Sequence, residues 1–137
     1  MNETQIIEAA RHFNIAAIWA DCDEGTNPRA GKAAQLDAES FVQAFAAAYP
    51  ELCAAAMAAP GYGAHPDAGT PAAAFGHDLY LTCAGHGVGF ADRPELGETG
   101  EALAEAIRQA WRRWHVECYF MRGWLYLTFD TNKDAHA

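Results

Sequence analysis

Four residues in the middle of the chain, His77, Asp78, His86 and Asp92, carry the side chains best suited to chemistry. Imidazole and carboxylate groups are ligands for zinc and other divalent ions. If His77, His86 and Asp92 met across a hairpin, they could hold a metal and activate a bound water. Their spacing matches no established pattern such as H-E-x-x-H. The same residues also have a structural reading, in which His86 shapes a turn and Asp92 with Arg93 caps or braces the next helix. On this basis the sequence assigns no metal and no cofactor.

Nucleophilic chemistry has less to stand on. The single serine, Ser40, lies in an alanine-rich run with no G-x-S-x-G elbow. Cys83 is close to His86 in sequence, but it alternates with Leu79 and Leu81, which points the thiol inward. Gly85, Gly87 and Gly89 resemble a phosphate loop only superficially, because no Lys-Ser/Thr follows them.

The acidic residues are better candidates for binding than for catalysis. Glu98, Glu101 and Glu105 fall on one stripe of a helix by their i, i+3, i+7 spacing. Asp21, Asp23 and Glu24 form a second cluster in a loop. Either set could enter a basic groove that normally holds nucleic acid. The alternative is a solvated face on which Glu105 pairs with Arg108 or Arg112.

Those side chains must be positioned by elements that the hydrophobic pattern outlines. Residues 2–13 read as a helix with Asn2 as its N-cap, and residues 14–20 either continue it or form a short strand. Asp37 looks like the start of a second helix carrying Phe41, Phe45, Ala48 and Leu52. Pro50 should kink that helix or begin a third. Residues 59–76 are rich in Pro, Gly and Ala and read as a long flexible loop, either a contact surface or a tolerated insertion. Alternation then predicts strands at Leu79–Cys83 and Val88–Phe90, joined by Gly85-His86-Gly87. A helix follows through Leu96, Leu103, Ile107, Ala110 and Trp114. Strands at Val116–Phe120 and Leu125–Phe129 come next, joined at Arg122-Gly123.

The expected fold is therefore α+β. N-terminal helices precede a C-terminal ββαββ unit whose four strands make a mainly antiparallel sheet. All 137 residues read as one domain ending in a polar tail over 130–137. The large side chains cluster in the C-terminal half, where the best-packed core is expected.

Composition narrows the function classes. Eighteen acidic residues against nine basic ones give a net charge of -9, which repels phosphate backbones. The only dense basic run is Arg112-Arg113, so direct nucleic-acid binding is not expected. Four cysteines without a C-x-x-C pair, and a polar start at Met1–Gln5, read as reduced thiols in a cytoplasmic protein. No apolar run is long enough to suggest a membrane span.

The stretch His77 to Arg93 reads H-D-L-Y-L-T-C-A-G-H-G-V-G-F-A-D-R. It resembles a motif of small phage and mobile-element proteins, roughly D-F-W-L-T-R-N-G-H-G-x-G-F-W-D-R. The matching positions are Asp78, Leu81-Thr82, Gly85-His86-Gly87, Gly89-Phe90 and Asp92-Arg93. The similarity extends to Gly61-Tyr62-Gly63 ahead of the motif and Leu96-Gly97, Gly100 and Leu103 after it. Tyr80, Cys83-Ala84 and Ala91 depart from it. What the resemblance implies is a genomic setting, an accessory protein in a bacterial host's cytoplasm, with no particular reaction. Together with size and charge, it leads to a non-enzymatic protein that binds a host protein. The sharpest form is an anti-CRISPR or anti-restriction inhibitor acting on a nucleoprotein subunit. Two alternatives stand beside it. One is a small metal-dependent enzyme using His77, His86 and Asp92. The other is a homodimeric structural or regulatory protein built through the aromatic sheet face of Trp124 and Tyr126, part of an aromatic set with Trp111, Trp114 and Tyr119.

Overall fold

The computed structural model describes residues 1–22, 27–64 and 69–129. Its first helix, α1 (Glu3–Asp21), opens on a capping box. Asn2 Oδ1 accepts from the Gln5 N–H at 2.8 Å and Gln5 Oε1 accepts from the Asn2 N–H at 2.9 Å. The helix runs unbroken through residues 14–20, which resolves the choice between helix and strand there. Ala9, Ala10, Ala16 and Ala17 are fully buried on it, so neighbouring backbones can come close.

Helix α2 (Lys32–Ala48) begins behind Gly31, five residues before the expected start at Asp37. It ends at Tyr49, and α3 (Pro50–Ala58) starts with Pro50 at its first position, where a missing N–H costs nothing. The two helices meet at 104°.

The main correction concerns residues 71–90. Among the described residues the sheet has two strands, and the expected first hairpin does not form. Residues 79–83 belong to a helix, α4 (Pro71–Cys83), and residues 90–92 form one turn of 3-10 helix. The long loop expected over 59–76 therefore ends at Thr70, whose Oγ1 caps α4 by accepting from the Ala73 N–H at 3.1 Å. The same hydroxyl donates to Glu8 Oε1 at 2.8 Å, tying the start of α4 to α1. Helix α4 is buried on nearly every side, from Ala72 to Cys83. An all-round apolar helix has no period to distinguish it from a strand, and the alternation of Leu79, Leu81 and Cys83 was incidental.

Helices α1 and α4 pack along each other. The contact is set by Gly76, where an added Cβ would sit 1.9 Å from the Ala9 carbonyl oxygen. Gly85-His86-Gly87 ends α4 rather than joining two strands. The His86 N–H donates to the Leu81 carbonyl at 3.1 Å and the Gly85 N–H to the Thr82 carbonyl at 3.2 Å. That pair, with Gly85 at φ 80°, is a Schellman cap.

Helix α5 (Glu98–Gln109) breaks at Ala110, and the single turn α6 (Trp111–Trp114) continues it. The C-terminal hairpin forms as the sequence predicts. Strands β1 (Val116–Met121) and β2 (Trp124–Phe129) pair antiparallel from Val116↔Phe129 to Met121↔Trp124. Arg122 at φ 53° and Gly123 at φ 84° make the two-residue turn. The fold is thus α+β but mostly helical. Its core is one cluster shared by both halves, rather than concentrated in the C-terminal one. Phe13 meets Tyr80 edge-on at 5.2 Å, Phe41 stacks on Phe129 at 4.9 Å, and Phe45 packs on Trp114 at 5.0 Å.

Candidate functional site

The motif residues gather at the corner where α4 gives way to the 3-10 turn. Asp78 is buried, and both of its carboxylate oxygens are used. Tyr62 donates its hydroxyl to Oδ2 at 2.7 Å, and Arg93 Nε and a terminal guanidinium nitrogen each lie 2.8 Å from Oδ1. One helix position, one turn residue and one loop residue are held together by a single charge. Burial and the neighbouring carboxylate push the Tyr62 phenol far above its ordinary range, so it stays a donor. The Asp78 hydrogen bond and charge raise Arg93 further, so the guanidinium stays charged.

The rest of the motif closes the corner. Thr82 Oγ1 donates to the Asp78 carbonyl at 2.8 Å and accepts from the Phe90 N–H at 3.2 Å. Gly89 sits at φ 139°, and a Cβ there would come within 2.2 Å of Thr82 Oγ1. Asp92 accepts from the Gly89 N–H at 3.0 Å, capping the 3-10 turn. Phe90 is buried with its ring 5.1 Å from that of Phe75. Asp92 and Arg93 do brace structure, but they brace α4 and the turn, not the helix that follows.

The residues proposed as metal ligands are not brought together. His77 lies against Trp19 with ring centroids 5.5 Å apart, His86 Nε2 is 3.0 Å from Asp21 Oδ2, and Asp92 caps its own turn. Among the described residues no group of three His, Cys, Asp or Glu side chains is arranged to hold a metal ion. Cys83 is fully buried, and burial raises its thiol well above the ordinary value, so Cys83 and His86 form no nucleophile-base pair.

Asp21, at the end of α1, also accepts from the Tyr80 hydroxyl, which lies 3.3 Å from Cys118 Sγ. The loop acid Asp21 is therefore tied to the core rather than free to meet a partner. Asp23 and Glu24 lie outside the described residues, as do residues 65–68 of the expected loop and the tail 130–137. On α5, Glu105 pairs with Arg108 and accepts from Gln109 Nε2 at 2.9 Å. Glu98 and Glu101 are exposed, and neither has an ion-pair partner among the described residues.

Sequence reasoning missed a cleft beside the Asp78 corner. It is open, about 770 Å3 in volume, and its walls include His12, Ile15, Trp19, His77, Arg93 and Glu95. Trp19 is 70% exposed and Ile15 44% exposed. Burial holds both His12 and His77 below the usual imidazole value. The spacing of His12, Ile15 and Trp19 on a continuous α1 was the available signal. It could be read only once residues 14–20 were known to be helical.

The chain gives no match to any protein-family model, to any curated protein or to any solved structure. No single helix among the described residues is long and apolar enough to cross a membrane.

Proposed function

We propose that the chain is an accessory protein of a phage or mobile element that acts by binding a host protein. Its target is a subunit of a CRISPR or restriction nucleoprotein, and its effect is inhibition. The observation that carries this reading is α5. Glu98 and Glu101 stand exposed in its first turn without ion-pair partners among the described residues, on a chain of net charge -9. Such a surface is steered toward a basic groove and competes there with phosphate. Glu105 contributes less than its spacing suggested, because Arg108 already neutralises it. Three of the four side chains singled out for chemistry, Asp78, His86 and Asp92, are engaged in holding the fold, and the fourth, His77, lies against Trp19, which supports binding over catalysis.

The test is a pull-down from a defence-competent bacterial lysate, with bound proteins identified by mass. A stoichiometric CRISPR effector or restriction subunit, lost on Glu98→Arg/Glu101→Arg, is expected. A partner retained at full strength by that double variant removes the acidic helix from the account. Capture of no such subunit removes the defence target.

A homodimer is favoured by a separate observation. Tyr119, Met121 and Trp124 are 46%, 51% and 44% exposed on the outer face of the hairpin, with Tyr119 stacked on Tyr126. Exposed aromatic faces of this kind are common at protein contacts. Sedimentation at high protein concentration decides it, and a monomer there excludes it.

A further inference from the structure

Among the described residues the stripe of α1 carrying His12, Ile15 and Trp19 is left largely open, and an indole as exposed as Trp19 is a strong contact residue. His77 lies tilted at 45° against the Trp19 ring and orients it, while most of the indole faces solvent. The charges around the cleft are unequal. Two carboxylates, Asp78 and Glu95, face one guanidinium, Arg93. Asp78 and Arg93 are bound to each other, and Glu95, whose charge also acts on Arg93, is exposed and has no ion-pair partner among the described residues. The two imidazoles add no opposing charge near neutral pH, because burial keeps them deprotonated.

We infer that this cleft takes an arginine side chain of a partner protein, its guanidinium plane on Trp19 and its N–H edge on Glu95. A guanidinium is planar and weakly hydrated, stacks on indole and pairs in a fork with a carboxylate. Its aliphatic stem covers Ile15. A lysine ammonium gives up more hydration and cannot stack as a plane. The chain's negative charge favours such a partner at long range. The identity of the occupant rests on the protein-binding reading above, but the surface is a different one from the α5 acids.

The experiment uses the full 15N-labelled chain and blocked Gly-Arg-Gly peptide. Its readout is the Trp19 indole N–H resonance, assigned by its disappearance in Trp19→Phe. A saturable shift is expected, with the neutral citrulline peptide binding about tenfold or more weaker. Glu95→Gln is expected to weaken the arginine peptide by a similar factor while leaving the urea midpoint unchanged, since Glu95 is exposed. No saturable shift up to about 10 mM peptide, or an equal response to citrulline, overturns the proposal. An equal response to Gly-Lys-Gly overturns the assignment to arginine. This titration needs no host partner, so its failure leaves the α5 reading standing.

Discussion

Asp78 shows how much a single residue can organise. Its carboxylate joins the turn at Tyr62, the body of α4 and the segment after the 3-10 turn through hydrogen bonds. Asp78→Asn keeps the shape but leaves the Arg93 guanidinium without its counter-charge. A loss of about 2–3 kcal/mol is expected, less than for a fully buried pair because Arg93 is partly exposed. The measurement is the urea midpoint. Arg93→Met in the same chain should lose less than the sum of the two single variants, since both break one shared interaction. Additive losses would mean that the ion pair is not the organising contact. The motif residues Asp78, Gly85, Phe90, Asp92 and Arg93 were visible in the sequence as a set. Their purpose was not, because a set of polar residues around glycines looks the same whether it holds a ligand or a corner.

Among the elements, the α1–α4 contact decides the architecture. Gly76 is there because the Ala9 carbonyl occupies the space a side chain would need. Gly76→Ala must push the helices apart, and a loss of about 3 kcal/mol or more is expected by thermal or urea unfolding. Gly87, where nothing lies within 4 Å of an added Cβ, is the control. Gly87→Ala meets only the strain of its φ of 75° and should lose about 1 kcal/mol. The elements with one wet face were legible in the sequence. The hairpin alternated from Val116 to Phe129, and α5 repeated Leu103 and Ile107 at helical spacing. Helix α4 was not legible, because burial on every side erases the polar positions that reveal a period. The signal that survived was at its start, a threonine N-cap followed by proline at the first helical position. Reading Thr70-Pro71 as a beginning would have moved two strands out of the expected sheet. The cleft depended on the same step. Trp19 and His77 meet only when both of their segments are helices.

For the molecule as a whole, His12 and His77 couple stability to pH. Both are held below the unfolded value of 6.5, mainly by burial. Glu8, Arg11 and His77 act on His12, and Asp78 and Arg93 act on His77. Below that value the unfolded chain takes up protons that the folded chain resists. Stability from this source is complete above the unfolded value and falls as pH drops toward the lowered folded values. Urea midpoints at about pH 7.5 and about pH 5.5 should show the decline, and His12→Gln/His77→Gln should flatten it. An unchanged slope in the double variant would move the effect to other groups. The pairing of α1 with α4 has a kinetic side as well. The Thr70–Glu8 hydrogen bond that fixes their register joins residues 62 positions apart. A chain leaving the ribosome therefore displays the alanine stripe of α1 long before its cover has been synthesised. The face of α1 that meets α4 must wait, open, for a loop closure that becomes possible only once the residues beyond Thr70 have been made.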